Sequence, residues 1–191
     1  AFRTAAGLHP RPFVPGSVTS EPAASTSKAI SRCALSCAIN GDVTIENCPT
    51  DVMTALTDRL EHCGLNIDTL DATDPLRATI NVPASRRVAP RPVTTPPYPG
   101  FPTDVQAQLM ALLTLADGNS IITEKVFPER FLHVAELSRM GADLYRQGPT
   151  VMVIGTKELH GAPVMASDLR ASAGLVIAGL AARGETLINR V

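Results

Sequence analysis

Apolar residues recur at two spacings along this 191-residue chain, and the alternation of the two spacings itself repeats. From Lys28 to Ile39, the residues Ile30, Ala34, Leu35, Ala38 and Ile39 fall on one helical face. Gly41 follows, as glycine commonly does past a last helical turn. Val43-Thr44-Ile45 then predicts a short strand. Thr50–His62 predicts an amphipathic helix with Met53, Leu56 and Leu60 on one face, stopped by Gly64; Leu65-Asn66-Ile67 and Ala78–Val82 predict strands. The order then returns as helix Thr103–Ala116, strand Ser120–Glu124, helix Arg130–Met140 and strands Ala142–Tyr145 and Val151–Ile154. Gly118 and Gly141 repeat the positions of Gly41 and Gly64 at one constant offset. A third round opens at Ser167 with a helix to Ala182, Gly184 and a strand Thr186–Asn189. Val191 falls where the earlier rounds supply another helix and more strands, so this unit is expected to be incomplete.

Pairs of consecutive strands break a simple βαβ rhythm. The expected class is therefore α/β with packed mixed sheets and helices on their buried side, not a doubly wound parallel sheet. The segments 103–116 and 167–182 are apolar nearly all round, which assigns both helices to an interior. Between the rounds, the proline-dense stretch Val88–Pro102 predicts a loop or an edge strand, because proline lacks the ladder donor. Residues 1–24 are rich in Pro, Ala, Ser and Gly without periodicity and are expected to be irregular. The expected organisation is one repeat domain over 25–191, with units of about 25–87, 98–156 and 163–191.

Net charge is −1, which offers no electrostatic footprint for nucleic acid or an anionic membrane. The most apolar stretch, Ala171–Ala182, is well short of the roughly 20 residues that span a bilayer, and no secretory signal is expected at the start. Cys33, Cys37, Cys48 and Cys63 show no CxxC spacing and no paired histidines, so they read as small buried hydrophobes rather than a metal site or a disulfide framework.

Chemistry concentrates at helix starts. Thr103-Asp104-Val105-Gln106 fits a capping box, with Asp104 favoured by the helix dipole. Pro99, Gly100 and Pro102 stiffen its approach, so Asp104 is also a candidate general base or hydroxyl acceptor. Ser167-Asp168-Leu169-Arg170 repeats the arrangement, with Asp168 a cap residue. Arg170 sits poorly at the positive end of a dipole and makes sense there if it meets an anion. Arg130 and Arg190, taken alone, read as solvated charges. His133 lies mid-helix between apolar neighbours and reads as a packed histidine rather than a base. Ser25-Thr26-Ser27-Lys28 contains S-x-x-K, but the companion S-D-N and K-T-G elements of the penicillin-binding enzymes are absent.

The runs PYPGFPTDVQAQLMALL, ITEKVFPERFLHVAELSRMGA and LHGAPVMASDLRASAGLVIAGLAARGETLINR resemble the C-terminal part of the UDP-N-acetylglucosamine 1-carboxyvinyltransferase family of enolpyruvyl transferases, over about Gly41 to Val191. The resemblance implies the inside-out α/β barrel, two globular domains each built from three copies of one folding unit. It implies transfer of the enolpyruvyl group of phosphoenolpyruvate to the 3-hydroxyl of UDP-N-acetylglucosamine, the first committed step of peptidoglycan synthesis, in the cytoplasm and with no metal or organic cofactor. It implies catalytic roles for Asp104, Asp168 and Arg170. Contacts to substrate are implied for Asp104, Val126, Phe127, Arg130 and Arg190, the last as part of Asn189-Arg190 where the family has D-R.

The chain also departs from that pattern. The family's N-terminal Lys-Asn pair, its cleft loop with a cysteine or aspartate general acid, and its last arginine have no counterpart that can be placed. Before Gly41 the chain reads PGSVTSEPAASTSKAISRCALSC, which resembles the P-G-S-K-S-x-S-N-R-A opening of the shikimate-pathway enolpyruvyl transferase and implies anion contacts for Lys28 and Arg32. The expectation is a partial chain lacking the enzyme's N-terminal domain and inactive alone. The alternatives are the shikimate-pathway transferase and a non-catalytic truncated paralogue.

Overall fold

The computed structural model describes residues 2–6, 31–34, 36, 41–85, 88–97 and 100–190. A strand β1 (Phe2–Ala6) precedes the first round, which holds helical residues 31–34 and 36 (α1), β2 (Val43–Cys48), α2 (Thr54–His62), β3 (Asp68–Asp71) and β4 (Ala78–Val82). The second round holds β5 (Pro92–Thr95), α3 (Gln106–Leu113), β6 (Asn119–Glu124), α4 (Leu132–Arg139), β7 (Asp143–Gln147) and β8 (Thr150–Ile154). The third holds β9 (Pro163–Met165), α5 (Leu169–Ala181) and β10 (Gly184–Asn189). Single 3₁₀ turns at Thr50–Val52 and Thr103–Val105 lead towards α2 and α3.

The repeat is topological. β2-β4-β3 is an antiparallel sheet, and β6-β8-β7 reproduces its order and senses. β5 adds to the edge of the second sheet, parallel to β6. Pro92 opens that strand at an edge, where its missing donor costs no ladder bond. In the third sheet, β9 lies parallel to β10 as β5 does to β6, and β1 lies antiparallel to β10 as β8 does to β6. Phe2–Ala6 is thus a strand within a stretch expected to be irregular. Its residues carry no readable alternation and are ordered by pairing with β10.

The glycines of one matched pair act as the spacing predicts. After α2, Gly64 has φ +92°, its N–H bonds to Glu61 O and that of Leu65 to Leu60 O. After α4, Gly141 has φ +89°, its N–H bonds to Ser138 O and that of Ala142 to Leu137 O. Both helices therefore close with the same Schellman motif, at matching points of consecutive rounds. Leu65 is consumed by the first of these caps, which moves the expected strand at 65–67 on to the solvent-exposed Asp68–Asp71.

All eight residues of α3 are buried, as are seven of α5, and the two helices pack together beneath the sheets. A methyl group on Gly174 would lie 2.8 Å from the Ala107 carbonyl oxygen, so glycine is what allows α5 this close to α3. One continuous apolar core runs from Cys33 to Ile188. Cys33, Cys48 and Cys63 are buried in it, and burial pushes the Cys48 thiol up to about 11. Cys37, Lys28 and the S-x-x-K segment lie outside the described residues. Among the described residues, no cluster of His, Cys, Asp or Glu could hold a metal ion, and no helix is long and apolar enough to cross a membrane.

Candidate functional site

Asp104 stands at the corner between β5 and α3. Phe101 is buried, Pro102 is extended at φ −67°, and a methyl group on Gly100 would collide with the Pro96 ring. Such a corner has little room to move. The expected capping box is not formed, however. Thr103 lies inside the 3₁₀ turn, and its Oγ1 donates to Glu124 Oε2 (2.8 Å) rather than receiving an α3 amide. Gln106 is buried, and its Nε2 has no partner. A buried carboxylate is the stronger acceptor for a hydroxyl, and Glu124 takes Thr103 away from the helix.

Asp168, by contrast, is the N-cap of α5. Its Oδ1 accepts from the Arg170 and Ala171 amides, both at 2.8 Å, while its carbonyl accepts from Ser172 Oγ. The cap fixes the first turn from which the Arg170 side chain leaves. Arg170 Nε donates to Asp104 Oδ1 at 2.5 Å, and Arg130 Nη1 stands 3.6 Å from the same oxygen. The anion that the misplaced-looking arginine of α5 meets is therefore Asp104 itself. Arg130 comes from the turn before α4, where its guanidinium lies 3.7 Å above the Phe127 ring. Its Nη1 is buried and makes no hydrogen bond.

Four of the expected residues thus converge: Asp104, Arg130 and Arg170 in one ion-pair group, with Asp168 holding the base of Arg170. Phe127 is half exposed beside them, and Val126 is half-buried next to it. Arg190 does not join the group. It follows β10 in the left-handed region at φ +61°, exposed, while Asn189 O accepts from Ala166 N and so brings the end of β10 beside the approach to α5. The carboxylate of Asp104 is 52% exposed and Arg170 39%, so these pairs contribute at most about 1 kcal/mol to stability. What they do is aim the carboxylate.

Sequence reasoning passed over Glu124 because nothing in the run ITEKVFPERF marks that carboxylate as buried. It is buried, and its Oε1 accepts from the Val126 and Phe127 amides at 2.8 and 3.0 Å. His133, read as a packed histidine, is 3% exposed. Burial lowers its pKa to about 4 against the opposing field of Asp168, and its Nε2 has no partner.

The family model of EPSP synthase (3-phosphoshikimate 1-carboxyvinyltransferase) matches residues 24–191. UDP-N-acetylglucosamine 1-carboxyvinyltransferase of Hyphomonas neptunium is 47% identical over 154 residues, 81% of this chain and 35% of that protein. The enzyme of the same name from Anaeromyxobacter sp. is 51% identical over 150 residues, 78% of this chain and 34% of the relative. Among solved structures, the enolpyruvyl transferase NikO from Streptomyces tendae superposes with a TM-score of 0.75 at 23% identity, over 85% of this chain and 38% of that one. EPSP synthase from Acinetobacter baumannii gives 0.68 at 18% identity, over 85% and 41%. These two show the shared fold. The chain spans about a third of the length of the curated relatives it matches. By the family match and by those identities, the chain belongs to the EPSP synthase family of enolpyruvyl transferases and within it resembles the UDP-N-acetylglucosamine 1-carboxyvinyltransferases.

Proposed function

We propose that this chain forms one wall of a cleft in which the enolpyruvyl group of phosphoenolpyruvate is transferred to the 3-hydroxyl of UDP-N-acetylglucosamine. The observation that carries the reading is the Asp104 carboxylate, fixed at a stiff corner and aimed by Arg170 and Arg130. In the addition step the sugar O3 bonds to C2 of phosphoenolpyruvate as its proton leaves and C3 gains one. Loss of a C3 proton then expels inorganic phosphate and leaves the enol ether. Asp104 accepts the hydroxyl proton. Arg170 and Arg130 turn the carboxylate towards the cleft and supply positive potential for the phosphorylated substrate. Phe127 and Val126 line the sugar side, and Arg190, beside the approach to α5, faces the anionic end.

The group that protonates C3 has no counterpart in the sequence. We place it, with the opposite wall, on an N-terminal domain of the same enzyme, in keeping with relatives about three times as long. Within that enzyme the rounds of helix and mixed sheet over 25–191 are part of an inside-out α/β barrel, and the setting is the cytoplasm. No metal or organic cofactor enters the chemistry.

Calorimetric titration tests the reading. UDP-N-acetylglucosamine should bind the chain, and Asp104→Ala should weaken that binding at least tenfold with unfolding stability changed by less than about 1 kcal/mol. Phosphate release from the chain with both substrates should stay at background. Binding of shikimate 3-phosphate in place of the UDP-sugar would transfer the chain to the shikimate-pathway reaction.

A further inference from the structure

Glu124 joins the two segments that carry the site. Its carboxylate is buried at the end of β6, and each oxygen has a different duty. Oε2 receives the hydroxyl of Thr103, the residue before Asp104. Oε1 receives the amides of Val126 and Phe127, the turn that leads to Arg130. The Glu124 amide is itself bonded to Pro149 O, and the next amide, Lys125, donates to Thr95 Oγ1 at 3.2 Å, so β5 and the β7–β8 turn hold the carboxylate still. A buried carboxylate is costly to desolvate unless its oxygens are hydrogen-bonded, and here three donors do that.

We infer that Glu124 is a positioning residue of the enolpyruvyl-transfer site, setting the distance between the Asp104 corner and the Phe127–Arg130 turn. The inference rests on the reading of that site given above. Its basis is the sharing of one carboxylate between the two segments, which neither segment's own backbone bonds provide. If the carboxylate is removed, Thr103 loses its acceptor and two turn amides lose theirs. The corner and the turn then drift independently, and Arg130 no longer keeps its place between Phe127 and Asp104. Glutamine is the informative replacement. Its carbonyl oxygen still receives the two amides, while its NH₂ donates to a Thr103 hydroxyl that has rotated to accept.

The test uses Glu124→Ala, Glu124→Gln and the wild-type chain, with amide hydrogen exchange and calorimetric titration of UDP-N-acetylglucosamine. In Glu124→Ala, exchange at Val126 and Phe127 and across residues 103–105 should accelerate at least tenfold, with the amides of α2 and β4 unchanged, and UDP-sugar affinity should fall at least tenfold. Glu124→Gln should recover most of both. Unchanged exchange at 103–105 in Glu124→Ala would overturn the coupling. So would a uniform acceleration that reaches α2 and β4, which would mark a general loss of stability. If the wild-type chain binds no UDP-sugar, the proposed function fails, and the exchange pattern alone decides whether Glu124 couples the two segments.

Discussion

Acidification should destabilise this fold through one histidine. His133 is buried on α4, and its pKa in the folded chain is lowered from 6.5 to about 4, because burial disfavours the imidazolium more than Asp168 favours it. The unfolded chain protonates His133 near its ordinary value, so between pH 6.5 and 4 the unfolded state binds the extra proton and the folded state does not. Folding stability is then fully present above about pH 6.5, falls as the pH drops, and levels off below about pH 4. At about 1.4 kcal/mol per unit, the loss attributable to this side chain is about 2 kcal/mol by pH 5 and about 3 kcal/mol by pH 4. The assay is urea unfolding followed by far-UV circular dichroism at pH 7, 6 and 5, on the wild-type chain and on His133→Gln. Other groups titrate alike in both proteins, so the difference between them isolates His133. That difference should move by about 2 kcal/mol towards the variant between pH 7 and pH 5. A difference that does not change with pH would refute the burial argument and require a partner that stabilises the charged ring.

Three further outcomes follow from contacts at α2, α4 and α5. Gly174→Ala gains up to about 1 kcal/mol of helix propensity but forces a methyl within 2.8 Å of the Ala107 carbonyl oxygen. Overpacking of about 1–3 kcal/mol should win, and a raised urea midpoint would contradict the close α3–α5 approach. Asp168→Ala should cost about 1–2 kcal/mol by leaving the Arg170 and Ala171 amides uncapped, with Asp168→Asn recovering most of it. Equal losses in the two variants would show that the cap is not the source. Gly64→Ala and Gly141→Ala should each cost about 1 kcal/mol or more through their left-handed φ. In the second, the added methyl also meets His160 at 3.3 Å. Thermal melts of the two variants check the losses.

The repeat was legible because its signals are local. Gly64 and Gly141 close helices through bonds that reach back little more than one turn, and a glycine after an amphipathic run is enough to announce them. The all-round apolar helices at 103–116 and 167–182 likewise declared their burial by composition alone. What escaped was set by partners distant in sequence. β9 is too short to show a period, and exists because β10 lies beside it. β1 is ordered by a strand at the other end of the chain. The strand expected at 65–67 moved for a local reason instead, since Leu65 was needed to close α2 against Leu60.

The site divides along the same line, and the division explains why two matching helix starts play different parts. Thr103-Asp104 and Ser167-Asp168 look alike because each places a hydroxyl and a carboxylate before an apolar helix. At α5 the local rule prevails, and Asp168 accepts from the helix amides and becomes the cap. At α3 a buried acceptor 21 residues away draws Thr103 off, and Asp104, inside the 3₁₀ turn, makes no cap. Its carboxylate is then available to an arginine 66 residues away. Local physics made the two copies look equivalent, and the distant partners of Thr103 and Asp104 made them different. Asp168 spends its side chain on the backbone of α5, whereas Asp104 keeps an exposed carboxylate held by arginine side chains, in keeping with the proton-acceptor role proposed for it.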